Sequence, residues 1–306
     1  MAGTSLISVG GPIMTASFDI AGRIVQDQLA HSAPHKLEIL SGITREQVVV
    51  VKGQHDHMDQ VLRSMGRKFV HVTPQKLTPD ILRSAGIAFV NCTRDFPQDK
   101  IALLKKWVNW RGWMVSSDWA LTVVEQAFPG FISCCGHKID DRCAPVEVLD
   151  PNEPLTQALL GQEVNPVWWF EGGSYPIRID DHRAVQVLIR STEQLVAGCE
   201  NNAVLVRFKP VPGGGVLHHM SSHLYAQRTE HRDQRHMQDV SAYTTELGTS
   251  PEVAAWARRA AAAQEGTSYG SVQAATTTSQ LVTEMFVQCF GDEDTLSGED
   301  TVVDGG

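Results

Sequence analysis

A run of four valines, Val48–Val51, constrains the fold more than any other feature of the sequence. β-branched side chains favour extended backbone, and an apolar run without alternation is typical of a strand buried on both faces. Gly53 turns the chain directly afterwards, and residues 58–65 have the spacing of a helix. A strand covered on both faces needs helices on both sides, so the run predicts a parallel sheet in an α/β protein.

The same alternation of strand and helix continues through the first half of the chain. Three further apolar runs predict strands, and each is followed by or preceded by a segment with helical spacing. The strands are expected at 69–72, 87–90 and 113–117, and the helices at 80–84, 100–110 and 119–127. Four strands that alternate with helices predict βαβ units, and therefore an open, mostly parallel sheet with helices on both faces.

Beyond Pro129 the pattern changes to strands separated by loops rich in proline and glycine. Strand-like runs occupy 146–149, 184–190, 203–208 and 216–220, and helices are expected at 251–264 and 278–290. The helix at 278–290 has the apolar spacing of an amphipathic helix. These segments predict added strands and helices around the parallel sheet.

The domain organisation follows from these shifts in pattern. Residues 1–45 form an N-terminal extension with a strand-like stretch at 6–9 and a helical one at 20–29, compatible with an edge hairpin or a partner-binding arm. Residues 46–290 form the α/β domain, with an insertion at about 225–272. The acidic, glycine-rich tail 291–306 is expected to be disordered, and its terminal Gly305-Gly306 is interpreted as a chance pair or a cloning remnant.

Composition narrows the classes of partner. The chain has 306 residues, 42% apolar residues and a net charge of −9, which allows a large core and disfavours a general binder of nucleic acid. No apolar run approaches the roughly 20 residues that span a bilayer, and no basic segment leads into an apolar one at the start. We therefore expect a cytoplasmic protein with neither a nucleic acid nor a membrane as partner.

The six cysteines are few for this length and irregularly spaced, so reduced thiols are expected rather than a disulfide framework. Cys134, Cys135, His137 and Cys143 form a local cluster, but the second half of a four-ligand zinc site is missing from it. Ordinary thiols are the favoured interpretation of this cluster.

The motifs of the two halves share an order with a known superfamily. Residues 103–121 have the pattern of a helix, an apolar strand and a short polar turn at 116–119. A Glu-Pro-Leu-Thr stretch lies at 153–156, and the glycines 213–215 precede a strand that leads into the histidines and serines of 218–223. In this order the chain resembles class I glutamine amidotransferase-like domains, in particular their trehalose-utilisation-like branch. The resemblance covers about residues 46–290 and implies a flavodoxin-like, amidotransferase-like fold.

The chain departs from that superfamily at the most reactive position. Such amidotransferases hold a cysteine nucleophile between glycines at the sharp turn after this strand. Here the turn reads Ser116-Ser117-Asp118-Trp119, and none of the six cysteines lies in it. The resemblance therefore implies the amidotransferase-like fold, but the turn after this strand has no cysteine thiolate. No glutaminase activity is expected.

Polar side chains follow several of the predicted strands at the edge where such sheets bind ligands. The candidate catalytic residues are Ser117, Asp118 and His223. The candidate ligand-binding residues are His55, Asp56, His57, Trp119, Glu171 and His219. The candidate metal ligands are His55, His57, Asp118 and His223.

Three chemistries could use this set of side chains. Ser117 could be a nucleophile with a histidine base, imidazoles and carboxylates could bind a divalent metal, or the set could recognise a polar ligand by hydrogen bonds and by stacking on tryptophan. Each residue also has a structural interpretation. Asp56 and Asp118 could cap helices, and Ser116 and Ser117 could form hydrogen bonds with backbone groups of the turn. Trp168 and Trp169 could be a pocket wall or core.

Two functions remain open from the sequence. The first is a non-catalytic amidotransferase-like protein that acts in ligand binding or in assembly with a protein partner or a second copy. The second is a hydrolase or isomerase of a small polar or carbohydrate-like substrate, with a His/Asp site, metal-assisted or not, or a Ser/His site. No organic cofactor is expected in either case, and a divalent metal is compatible with both.

Overall fold

The computed structural model describes residues 11–160, 167–199, 201–225 and 234–291. The predicted strand at 6–9, most of the polar stretch that precedes residue 234, and the tail 292–306 with its terminal glycines lie outside the described residues.

Five parallel strands form the first half of the sheet, in the order β2-β1-β3-β4-β11. They are β1 (Val48–Val51), β2 (Val70–Val72), β3 (Ile87–Val90), β4 (Trp113–Ser117) and β11 (Leu217–Met220). Every residue of β1 and β3 is buried, as the continuous apolar runs predict. The predicted α/β class, with an open sheet between helices, is confirmed.

Antiparallel strands extend the sheet from β11 in the order β10-β9-β6-β7. These strands are β10 (Ala203–Phe208), β9 (Gln186–Ser191), β6 (Arg142–Val148) and β7 (Val167–Phe170), while β5 (Ile132–Cys134) pairs with β8 (Ile177–Ile179) beside β10. The sequence predicts β9, β10 and part of β6. It does not predict β5, β7 and β8.

Helices cover both faces of the sheet. Those that follow the parallel strands β1 to β4 are α3 (Met58–Ser64), α4 (Pro79–Arg83), α5 (Gln98–Trp110) and α6 (Leu121–Ala127). The others are α1 (Pro12–Ser32), α2 (Pro34–Gly42), α7 (Pro154–Leu160), α8 (Val240–Glu246), α9 (Pro251–Ala263) and α10 (Tyr269–Gly291). Among the described residues, none of these helices has the length and apolar content to cross a bilayer.

Alternate side chains of the buried strands enter two separate cores. Val48 and Val50 pack in one core with residues of α1 and α10, whereas Val49 and Val51 pack in the other with residues of α5 and α6. The tetravaline run therefore joins both layers of helices to the sheet.

The helix α10 is longer and more buried than its apolar spacing predicts. It begins at Tyr269 rather than at 278, and polar residues such as Thr276, Ser279 and Thr283 on it are buried. The predicted helix at 278–290 is confirmed as part of α10, but its amphipathic character is not, because α10 lies between the sheet and α1 and has little surface left for water.

The N-terminal segment is helical where it is described. The predicted helix at 20–29 is confirmed as part of α1, and α2 follows it within residues 11–45. An edge hairpin does not form in that part of the segment. Phe18, Ala21 and Val25 of α1 pack into the same core as α10, so the helix closes one layer of the protein.

The glycine-rich turn before β11 is required by a close approach of backbones. A Cβ on Gly215 would lie 1.9 Å from the carbonyl oxygen of Gly112, which leaves no room for any side chain. Gly215 donates its N–H to the Val108 oxygen at 2.8 Å, and Met114 donates to the Val216 oxygen at 2.9 Å. This turn sets the start of β11 against the start of β4.

Two cysteines form a disulfide, which the sequence analysis did not expect. Cys135 is joined to Cys199 across a sequence separation of 64 residues, and the thiols of Cys92, Cys134, Cys143 and Cys289 form no disulfide. The expectation of reduced thiols throughout is wrong for this pair, because pairing of β8 with β5 and β10 brings distant loops together. Disulfides persist in oxidising surroundings, so a cytoplasmic location stays a prediction.

Candidate functional site

The carboxyl ends of four neighbouring strands bring polar side chains to one edge of the sheet. Asp56 follows β1, Cys92 follows β3, Asp118 follows β4 and His223 follows β11, and these strands lie side by side in the order β1-β3-β4-β11. All four side chains are buried. Asp56, Asp118 and His223 are predicted at this edge from the sequence, whereas Cys92 is not.

Asp56 joins the loops of three strands. One carboxylate oxygen accepts hydrogen bonds from Ser117 Oγ at 2.7 Å and from the Leu224 N–H at 3.1 Å. The other accepts from the backbone N–H groups of His57 at 2.9 Å and Tyr225 at 3.0 Å. With four donors directed at it, this buried carboxylate is fully engaged in holding the edge together.

Asp118 stands at the tip of the sharp turn after β4. Its backbone has a φ of +46°, a left-handed conformation that aspartate tolerates better than most residues. Oδ1 accepts the Tyr175 N–H at 3.2 Å, and Oδ2 lies 3.5 Å from Cys92 Sγ and 3.3 Å from His223 Nε2. The tip of this turn thus holds a buried carboxylate in a left-handed backbone conformation.

His223 lies between two carboxylates. Its Nδ1 is 2.9 Å from Glu171 Oε2, and its Nε2 faces Asp118. Burial disfavours a charged imidazole, but hydrogen bonds with Asp118, Cys92 and Glu171 outweigh that penalty and hold the pKa of His223 well above its usual range. Glu171, from the loop after β7, is half-buried and keeps contact with solvent.

Cys92 is the functional candidate that the sequence analysis missed. The side chain is fully buried, and burial raises the pKa of its thiol to about 12. A thiol therefore does lie in the site beside a histidine. It comes from the loop after β3 rather than from the sharp turn after β4. Its place two residues after the apolar strand β3 is a usable signal, because that position predicts the same sheet edge.

The structure does not assemble the serine-based arrangement. Ser117 donates to Asp56, while Ser116 pairs with His219 Nδ1 at 2.8 Å. Burial lowers the pKa of His219 to about 3, so its ring is neutral. In the described contacts Ser117 has no histidine partner that could act as its base.

Several predicted ligand-binding residues lie at the rim. His55 is exposed, with its ring 4.8 Å from that of Trp119 and 6.5 Å from that of His223. The Arg94 guanidinium stacks on the half-buried Trp119 ring at 3.8 Å. His57 contacts the Tyr225 ring, 5.7 Å between centroids. These side chains border the buried cluster but do not enter it.

The buried residues include one set of metal-ligand type. Among the described residues, single ligand atoms of Cys92, Asp118 and His223 all lie within 4.8 Å of one another. This set shares Asp118 and His223 with the predicted ligands, and Cys92 stands in place of His55 and His57.

A cavity of about 560 Å³ lies away from this edge. It is bounded by α1, α10 and the antiparallel strands, and its lining includes Gln28, Lys36, Trp168, Gln273, Thr277 and Glu284. Lys36 Nζ and Glu284 Oε1 form an ion pair at 2.5 Å. Of the two tryptophans predicted as a pocket wall, Trp168 borders the cavity and Trp169 is fully buried core.

No protein-family model and no curated protein matches the sequence. Solved structures of similar shape include a ThuA-like protein from Bacteroides uniformis, with a TM-score of 0.45 and 12% identity over 60% of this chain and 84% of that one. A glutamine amidotransferase from Thermotoga maritima has a TM-score of 0.44 and 10% identity over 80% of this chain and 99% of that one. A GMP synthase protein from Thermoplasma acidophilum has a TM-score of 0.44 and 15% identity over 69% of this chain and 95% of that one. This chain is similar to amidotransferase-like folds at low sequence identity.

Proposed function

We propose that this chain is a non-catalytic amidotransferase-like protein that binds a small polar ligand. The observation that carries the proposal is the tip of the sharp turn after β4, where the buried carboxylate of Asp118 stands and the chain has no cysteine. The Asp118 carboxylate contacts a backbone N–H, a thiol and an imidazole, so it has a structural role rather than that of a nucleophile.

The closed state of the edge supports this proposal. The side chains of Ser117, Asp118 and His223 belong to residues that are at most 2% exposed, so a substrate could reach them only after a rearrangement. The four hydrogen bonds at Asp56 oppose such a rearrangement, because opening would leave buried donors without partners.

The cavity beside α10 is the better place for a ligand. Its volume of about 560 Å³ falls in the range of small-molecule sites. Gln28, Gln273, Thr277 and Trp168 line it together with the Lys36–Glu284 pair. Such a combination suits a neutral or zwitterionic polar molecule, for example a sugar, a polyol or an amino acid. Assembly with a protein partner or a second copy stays a prediction beside it.

The test is a binding screen with a matched pair of variants. A panel of monosaccharides, disaccharides, polyols and α-amino acids is titrated into the protein and followed by calorimetry. Ala274 lines the cavity, so Ala274→Leu should fill part of it and abolish binding of any hit, whereas Ala262→Leu on the exposed face of α9 should leave it unchanged. Equal binding by both variants, or no hit from the panel, would count against the cavity as the binding site.

One observation favours a second candidate function, hydrolysis of an amide or ester. The Cys92 thiol lies within 4.8 Å of the His223 imidazole, which contacts the Glu171 carboxylate at 2.9 Å. A thiol nucleophile, its base and an orienting group require this set of side chains. The burial of Cys92 is the reason to rank this second.

Labelling of native protein with iodoacetamide separates the two candidates. The proposed function requires Cys92 to stay unlabelled while the half-buried Cys134 and Cys143 react. Rapid labelling of Cys92 in the folded protein, together with glutamine hydrolysis that Cys92→Ala removes, would establish the hydrolase instead.

A further inference from the structure

We propose that Cys92, Asp118 and His223 form a zinc site at the carboxyl edge of the parallel strands. The three residues follow β3, β4 and β11, which are adjacent in the sheet. Each reaches the edge on a different strand, so the sheet itself holds the three donor groups in place. All three side chains are buried.

The spacing of the donor atoms fits tetrahedral coordination. Zinc bonds of about 2.0–2.3 Å at the tetrahedral angle separate neighbouring ligand atoms by roughly 3.3–3.8 Å. Asp118 Oδ2 lies 3.5 Å from Cys92 Sγ and 3.3 Å from His223 Nε2. The third pair of donor atoms, on Cys92 and His223, lies within 4.8 Å. An ion could enter with small shifts of the side chains, because both separations from Asp118 already fall in the tetrahedral interval.

The donor types also select the metal. A thiolate, an imidazole and a carboxylate are common zinc ligands, whereas magnesium and calcium take oxygen donors. A divalent ion with one thiolate and one carboxylate has no net charge, which reduces the cost of holding Asp118 in the interior. Three protein ligands leave one coordination position for water.

Glu171 and Tyr175 orient the ligands toward that centre. Glu171 Oε2 lies 2.9 Å from His223 Nδ1, so a proton on Nδ1 leaves the Nε2 lone pair directed at Asp118 and Cys92. The Tyr175 N–H binds Asp118 Oδ1, which leaves Oδ2 for the ion. A carboxylate behind a ligating histidine is the usual arrangement around zinc.

The experiment is metal reconstitution of the full chain, followed by cobalt spectroscopy. Protein stripped with chelator and dialysed against zinc should hold about one equivalent by elemental analysis, since the site has one set of ligands. Cobalt(II) in place of zinc should give the near-ultraviolet charge-transfer band of a thiolate ligand together with the visible bands of a tetrahedral ion.

Variants assign the ligands. Cys92→Ala should remove the charge-transfer band and His223→Gln should remove stoichiometric zinc, whereas Cys143→Ser, which alters a thiol outside the cluster, should retain both. Glu171→Gln should weaken zinc binding by about ten- to a hundred-fold without changing the stoichiometry at saturating metal. Circular dichroism verifies that each variant is folded.

A wild-type protein that stays folded and takes up no zinc would overturn the proposal. So would a cobalt spectrum without a thiolate band, which needs no variant for its interpretation. In either case the cluster would be a metal-free ion pair, with an imidazolium between Asp118 and Glu171. Neither result affects ligand binding in the cavity, so this inference and the proposed function fail independently.

Discussion

At the scale of single residues, the carboxyl edge depends on two buried aspartates with different tasks. Asp118 faces a thiol and an imidazole, while Asp56 accepts hydrogen bonds from a hydroxyl and from backbone N–H groups. Asp56 therefore contributes to stability rather than to chemistry. Removal of such a carboxylate lowers the free energy of unfolding strongly, because its hydrogen-bond donors then remain buried without an acceptor.

We expect Asp56→Ala to lower the free energy of unfolding by at least about 3 kcal/mol, since several buried donors lose their acceptor. Ser117→Ala removes only one of these hydrogen bonds, so its cost should be about 1 kcal/mol. Urea unfolding at neutral pH measures both values. Equal costs for the two variants would contradict the role assigned to Asp56.

At the scale of elements, β11 carries two buried histidines that do not belong to the edge cluster. Burial, aided by the Arg207 charge, lowers the pKa of His218 to about 3, and burial lowers that of His219 to the same value. Among the described residues neither ring nitrogen of His218 has a hydrogen-bond partner. The central strand of the sheet thus carries two neutral imidazoles, which would have to be protonated inside the protein at low pH.

The stability of the protein should therefore fall in acid. In the unfolded chain these histidines have ordinary pKa values near 6.5, so the unfolded state binds more protons between that pH and about 3. Their contribution is complete above pH 6.5 and decreases by about 1.4 kcal/mol per pH unit for each histidine as the pH falls. His218→Leu should reduce this slope by one histidine's share in urea unfolding between about pH 6.5 and 4. Parallel pH profiles for the variant and the wild type would contradict the assignment.

At the scale of the whole molecule, one covalent link ties two regions of the antiparallel half. The Cys135–Cys199 disulfide closes a long loop that contains β6, α7, β7, β8 and β9. Cross-links of this length act mainly by restricting the unfolded chain, and the restriction grows with the length of the loop. The parallel half has no disulfide among its described residues.

Reduction of this bond, or the double substitution of Cys135 and Cys199 by serine, should lower the free energy of unfolding by about 4 kcal/mol for a loop of this size. Unfolding in urea with and without reductant measures the loss, and Cys134→Ser serves as the control because that thiol forms no disulfide. A thiol assay on the unfolded protein should count four thiols before reduction and six after it. Six thiols without reductant would show that the bond does not form.

The parallel strands, the helices between them and the sharp turn after β4 can be predicted from local patterns along the chain. The apolar run Val48–Val51 and the apolar spacing of α5 involve residues that are close together in sequence. Such local patterns are sufficient to predict a buried strand or a helix with a buried face. The placement of Asp118 and His223 near one sheet edge followed from the same patterns, since carboxyl ends of parallel strands share an edge.

Which side chains meet depends on contacts that form only when the chain folds. Cys92 belongs to the site because β3 lies between β1 and β4, and Cys135 pairs with Cys199 because β8 joins β5 to β10. The cavity beside Trp168 exists because α1 and α10 pack together over the antiparallel strands. These contacts join residues far apart in sequence. Their free energy comes from the burial of apolar surface between elements, which the spacing of apolar residues within one element does not predict.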